Sequence, residues 1–379
     1  MHPLLQFATR NSDKIETLIR DLVECESPSD SPADVNRLVD LLIENTRDIA
    51  RAKVVRAKTF GRHLLLDFKI GRRKKQGRIL GLGHSDTVWP MGTLASMPFR
   101  QADGRLWGPG VLDMKAGLAF FVCAIRCLHE LDIPVRRQLS LLVVSDEEVG
   151  SVSSRPFTEA EAKRSDCVLV VEPGTGLTGK LKTARKGIGN YRIRIQGRAS
   201  HSGIDFEQGA SAIVEAAHQV LKCAALTDLR RGTTINPGVI RGGTRSNVVA
   251  AEAEIDVDVR VVRTSDAARL DKRLRALRPV DKRCHLEVTG GVNRPPMERT
   301  RAIASLFKKA KAIGADMGLT IEESSTGGGS DGNFTAALGI PTLDGLGAVG
   351  EGAHAANESI LIEPIPSRIA LLAALLSRL

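Results

Sequence analysis

Four times along this 379-residue chain an apolar run rich in β-branched residues stops abruptly at side chains able to bind a metal. Ile79 to Gly83 stops at His84, and Leu139 to Val144 stops at Ser145, Asp146, Glu147 and Glu148. Cys167 to Val171 stops at Glu172, and Ile340 to Leu343 leads through a glycine loop to His354. Helically spaced stretches such as Lys115 to Leu131 lie between these runs, so strands alternate with helices. That alternation predicts an α/β fold with a mixed, mostly parallel sheet sandwiched by helices. In such sheets chemistry collects at the carboxyl ends of the strands, where these runs place their polar residues.

Gly187 to Val292 has a different rhythm. Ile188 to Gly197 alternates as a strand, Gly209 to Ala225 is helical, and Thr233 to Ile240 is a strand. Asn247 to Val262 alternates again, Ser265 to Leu277 is helical, and His285 to Thr289 is a last strand. Strand, helix, strand, strand, helix, strand is the order of a ferredoxin-like α+β unit. Residues 187–294 are therefore expected to form an inserted domain, with 1–186 and 295–379 making the main one. Lys186-Gly187 and Val292 to Pro296 would be adjacent connecting strands.

Charge and composition narrow the partners. The formal charge is +10, and its densest run is Lys69 to Arg78, KIGRRKKQGR. The run falls between an alternating segment, His63 to Phe68, and the apolar Ile79 to Leu82, as a solvated hairpin tip would. Aromatics make up 3% of the chain and Tyr191 is its only tyrosine, so base-stacking platforms are scarce and no nucleic-acid partner is expected. No run approaches the roughly 20 apolar residues of a membrane span, and no membrane partner is expected. Met1 to Ser12 holds no apolar core of signal-peptide length, which favours a cytoplasmic location. The six cysteines sit inside apolar patterns and read as reduced core residues.

His84 and Asp86 stand in Gly-His-Ser-Asp-Thr-Val, Asp113 in Gly-Val-Leu-Asp-Met-Lys-Ala-Gly, and Glu147 and Glu148 in Asp-Glu-Glu-Val-Gly-Ser; Glu172 and His354 complete the set. Singly each has a plain explanation: a satisfied polar residue, a helix cap at Asp113, a solvated acidic pair. Together they recur at strand ends. Histidines and carboxylates without thiolates suit zinc, cobalt or manganese. Two histidines and three carboxylates exceed the needs of one tetrahedral metal. They suffice for two ions sharing a carboxylate, about 3.5–4 Å apart.

His-Ser-Asp-Thr-Val, Leu-Asp-Met-Lys-Ala-Gly, Asp-Glu-Glu-Val-Gly-Ser and Val-Glu-Pro-Gly, in that order, resemble the motifs of the dinuclear zinc exopeptidases and amidohydrolases. Arg-Ala-Ser-His-Ser-Gly, Gly-Gly-Gly-Ser-Asp and Gly-Ala-His-Ala-Ala-Asn-Glu extend the resemblance over residues 15–375. It implies that Asp113 bridges two Zn2+ (or Co2+ or Mn2+), with His84 and Glu172 on one ion and Glu148 and His354 on the other. Glu147 would be the general base and Asp86 the carboxylate orienting His84. A cis peptide is expected at Asp113-Met114. Water held by the two ions would be ionised near neutral pH and attack the amide carbon.

The inserted domain would act as a lid and as the dimerisation surface of a homodimer. His201 would then reach the partner subunit's site to stabilise the oxyanion. Asn247 and Arg294, with Gly328 and Gly329 of the glycine loop, match places that bind the substrate carboxylate in glutamate carboxypeptidases. Arg185, Lys186, Arg192, Arg194, Arg241 and Arg245 are either a charged surface or a basic cleft. The expected reaction is hydrolysis of an amide or peptide bond next to a free C-terminal carboxylate, in an N-acyl amino acid or dipeptide. An aminoacylase, or a biosynthetic deacylase of the acetylornithine or succinyl-diaminopimelate type, is the alternative. In the family, glutamate at the place of Glu172 accompanies carboxypeptidases and deacylases. A non-catalytic binding relative is disfavoured, because no ligand and no base is missing.

Overall fold

The computed structural model describes residues 2–70 and 76–379. The chain divides into two compact units. One comprises Met1–Ala184, Arg299–Thr326 and Ser330–Leu379; the other comprises Arg185–Glu298 and Gly327–Gly329.

The first unit is built on a six-stranded sheet. Its spatial order is Ala50–Val55, His63–Phe68, Gln138–Val144, Arg78–His84, Cys167–Val170 and Thr342–Leu343. The last four strands run parallel, and the first two add an antiparallel edge. Alternate residues of each strand enter separate cores. Leu64, Leu66, Ile79, Leu141, Val143 and Leu169 join the large cluster under helices Ala116–Glu130 and Ile365–Arg378. Leu65, Leu80, Leu82, Leu142, Val144, Val168 and Val170 meet Ala162 and Phe157 of helix Arg155–Lys163 on the other face. Both faces are covered, which explains why the central strands read as unbroken apolar runs.

One expectation fails here. His63–Phe68 and Arg78–His84 are not a hairpin, because Gln138–Val144 lies between them and pairs with both. Parallel neighbours on both sides bury Arg78–His84 along its whole length. The centre of the basic run, residues 71–75, lies outside the described residues.

In the second unit, strands Gly187–Gln196, Thr234–Gly242, Glu252–Val261 and His285–Arg294 alternate with helices Ala212–Ala224 and Thr264–Arg275. Numbered along the chain, the antiparallel strands lie in the order two, three, one, four, which is the ferredoxin-like arrangement. Tyr191, Ile193, Ile195, Ile255, Val257 and Val259 face the helices. The opposite face carries ion pairs: Arg192 to Asp256 at 2.7 Å, Arg194 to Glu254 at 3.3 Å, and Arg241 to Asp256 at 3.2 Å. Arg192, Arg194 and Arg241 thus share the two carboxylates of Glu254 and Asp256, which weakens the field they offer an acidic substrate.

The strand expected from Asn247 begins only at Glu252, and the strand expected to stop at Thr289 runs to Arg294. All six cysteines are free, and burial pushes the thiols of Cys123, Cys127 and Cys167 up to about 12. Among the described residues no helix is long and apolar enough to cross a membrane.

Candidate metal centre

His84 is the last residue of the buried strand Arg78–His84. Its Nδ1 lies 2.8 Å from the backbone carbonyl of Asp86 and 3.5 Å from Asp86 Oδ1. Those acceptors fix the proton on Nδ1 and turn the Nε2 lone pair toward the centre. Nε2 lies 3.3 Å from Asp113 Oδ1 and 3.6 Å from Glu172 Oε1. Asp113 comes from the turn Val111–Lys115 ahead of helix Ala116–Glu130, and the Asp113-Met114 peptide is cis. Asp113 Oδ2 is 3.3 Å from His354 Nε2, which is 3.2 Å from Glu148 Oε1. His354 stands at the tip of a hairpin whose arms are Gly350–Glu351 and Ser359–Leu361.

Two groups of donors result: His84, Asp113 and Glu172, and Asp113, Glu148 and His354. Asp113 belongs to both and presents a different oxygen to each histidine. Ligands held at 2.0–2.1 Å on the corners of a tetrahedron are about 3.3 Å apart. The separations here, 3.2 to 3.6 Å, fit two such ions. Electrostatics agree. Burial pushes the Asp113 carboxyl up, but His354 and His84 hold it well below the usual carboxylate range. Hydrogen bonds to Asp113 and Glu148 push His354 up to about 10. The carboxylates thus draw positive charge to both imidazoles, where a cation would compete with the proton.

Asp86 does more than face His84. Its carboxylate accepts from Ser29 Oγ at 2.7 Å and from the backbone N–H groups of Glu147 and Glu148, each at 3.2 Å. It thereby ties the His84 loop to the turn carrying the expected base and a ligand. Gly117 closes the other side: a Cβ there would stand 1.9 Å from the carbonyl oxygen of Val171, so only glycine lets the helix approach the strand that leads to Glu172.

Glu358 escaped the sequence reading, although it ends the same short motif as His354. Its buried carboxylate accepts from the backbone N–H groups of Gly110, Leu112 and Asp113 at 2.9 to 3.0 Å, and from Trp89 Nε1 at 2.7 Å. It therefore sets the backbone from which Asp113 projects. Each buried N–H left without an acceptor would cost about 1–3 kcal/mol. Lys115 is buried beside it, donates to the Cys25 carbonyl at 2.9 Å, and is pushed down to about 8 by that burial.

The remaining expected residues belong to the second unit. His201 is exposed, and its Nδ1 accepts from the Gly203 N–H at 3.1 Å. Ser202 N donates to the Asn247 carbonyl at 3.1 Å, and His201 bridges to Val248, so His201 and Asn247 share one pair of loops. Arg294 is buried at the end of strand His285–Arg294. A Cβ on Gly329 would meet Ile188 at 2.6 Å and Arg294 Cδ at 2.9 Å, so the glycine loop lies against that arginine. Arg185 Nη1 donates to the carbonyls of Gly328 and Gly329 at 3.3 and 3.0 Å.

Residues 81–378 match the model of peptidase family M20/M25/M40. The chain is 30% identical to carboxypeptidase G2 of Pseudomonas sp. (strain RS-16), over 98% of this chain and 91% of that protein. It is 31% identical to succinyl-diaminopimelate desuccinylase of Acidovorax ebreus (strain TPSY), over 75% and 76% of the respective chains. In fold it resembles the aminopeptidase PepT of Bacillus cereus ATCC 10987, with a TM-score of 0.80 at 23% identity over 97% of this chain and 98% of that one.

Proposed function

From the premise that this chain belongs to peptidase family M20/M25/M40 and is a hydrolytic enzyme, we propose that it cleaves an amide bond next to a free carboxylate. Glutamate is the proposed carboxyl-side residue. The observation carrying this reading is the pair of donor groups sharing Asp113, with Glu147 on the turn that also supplies Glu148. Two divalent ions, zinc in this reading although cobalt and manganese suit the same donors, would be held by His84, Asp113 and Glu172 and by Asp113, Glu148 and His354. Once bound, they would supply Lewis-acid polarisation and a water ionisable near pH 7. Glu147 accepts the proton of the attacking water and returns it to the leaving nitrogen. Asp86 holds His84 and the base-bearing turn in one register.

Carboxylate recognition is assigned to Arg294, with Asn247 and the backbone of Gly328 and Gly329. A guanidinium grips a carboxylate through two parallel hydrogen bonds, which gives a geometric reason to require a free carboxyl group. Similarity to carboxypeptidase G2 supports this assignment. The 31% identity to a desuccinylase supports the second reading, a biosynthetic deacylase. The test is hydrolysis of N-acyl substrates ending in glutamate, aspartate, alanine, leucine or arginine. A preference for glutamate is expected; a flat profile would shift the assignment to a deacylase. Arg294→Ala should lower kcat/KM for such substrates by roughly tenfold to a hundredfold, from one lost charged contact. An equal loss on an amidated substrate would overturn Arg294 as the carboxylate ligand.

A homodimer through the second unit completes the proposal. Ile213, Val214 and Leu221 of helix Ala212–Ala224 are exposed, as are Val239 and Ile240 of strand Thr234–Gly242 at the sheet edge. An apolar helix face beside an open strand edge suits a second copy of the same surface. His201 would then serve the site of the other copy. Mixing inactive His201→Ala and Glu147→Ala chains, with subunit exchange, should recover about a quarter of the activity through sites intact at both positions. No recovery in demonstrated mixed dimers would place His201 outside the partner's site.

A further inference from the structure

Ser145 and Ser153 bracket the turn that carries Glu147 and Glu148, and both hydroxyls meet the same buried imidazole. His63 is the first residue of strand His63–Phe68 and is 2% exposed. Its Nδ1 lies 3.0 Å from Ser145 Oγ and its Nε2 lies 3.1 Å from Ser153 Oγ. Each hydroxyl also has a second partner: the Gly61 carbonyl for Ser145 Oγ, and Asp146 Oδ2 at 2.7 Å for Ser153 Oγ. A hydroxyl has one proton to give and two lone pairs with which to accept, so each can be linked to the ring as well. One imidazole therefore ties both hydroxyls together, one through each ring nitrogen.

The turn needs such a brace. Asp86, Asp146, Glu147 and Glu148 crowd their carboxylates around one short stretch of backbone, and like charges would splay it. Asp146 is fully buried, and its Oδ2 also accepts from Ser153 N at 2.6 Å and Ser154 N at 3.3 Å. Its carbonyl accepts from Ser151 N at 2.7 Å, with Ser151 in the left-handed region at φ +57. The imidazole thus spans the turn from its entry at Ser145 to its exit at Ser153. Burial holds His63 below its ordinary value, against the weaker pull of the carboxylates of Asp146, Asp331 and Asp86.

We infer that His63 is a positioning residue: by bridging the hydroxyls of Ser145 and Ser153 it fixes the 145–153 turn, so that Glu147 is held where it meets the attacking water. This rests on the reading of Glu147 as the base. The test uses zinc-loaded full-length His63→Ala, Ser153→Ala and the double variant, with Glu147→Gln as reference. Each single variant should lower kcat by about tenfold or more, with KM within about twofold, because small misplacements of a reacting group are costly. Two equivalents of metal should remain. The double variant should lose less than the product of the two single losses, since both remove the bond between His63 and Ser153. His63→Asn, which keeps one donor, should recover part of the rate.

A wild-type kcat in folded, two-metal His63→Ala, or losses that multiply in the double variant, would overturn the inference. If His63→Ala does not fold, Ser153→Ala carries the test by the same kcat criterion. Glu147→Gln at the wild-type rate defeats the base assignment itself. An inactive Glu147→Gln beside a normal His63→Ala defeats only the role of His63.

Discussion

Glu147→Ala is expected to bind two metal ions and to turn over about 10²–10⁴ times more slowly, the usual contribution of a positioned proton acceptor. The substitution removes a carboxylate and leaves the backbone N–H that donates to Asp86, so the turn and its ligand Glu148 stay in place. Metal analysis and steady-state kinetics on the same sample separate the possibilities. A normal rate would refute the base assignment. Slow turnover with only one equivalent of metal would make Glu147 a ligand instead.

Asp113→Ala should have the larger effect, because it takes one donor from each group at once. Fewer than two equivalents of metal should remain after dialysis, and activity should fall with them. Zinc should raise the Tm of the wild-type protein and leave that of the variant nearly unchanged, since a ligand stabilises only the state that binds it. Retention of two equivalents would end the case for Asp113 as the shared carboxylate.

The candidate metal ligands stood out in the sequence because most lie where an apolar run stops, a signal confined to a few adjacent residues. Pairing was less legible. His63–Phe68 and Arg78–His84 look like a hairpin locally, and only Gln138–Val144, far along the chain, reveals that a strand sits between them. Gly290 and Gly291 read as the end of a strand, yet both stay in register with Tyr191 and Asn190. Asn247 to Ala251 alternates like a strand, but its backbone bonds go to scattered partners, Ser200, Ser202, Ala212 and Gly197, and the regular ladder starts only at Glu252. Glu358 and His63 were invisible for a further reason. Their partners are backbone N–H groups and hydroxyls from remote segments, and no spacing encodes those bonds.

The second unit interrupts the first, and this orders events during synthesis. His84, Asp113, Glu148 and Glu172 all leave the ribosome before residue 185, whereas Thr342–Leu343 and His354 follow the whole inserted unit. A nascent chain therefore owns every donor of the His84 group while the other still lacks its imidazole. Segments fold broadly in the order they emerge, and contacts across long separations form late. The last donor of the candidate centre can take its place only once a hairpin has emerged more than a hundred residues after the first four donors.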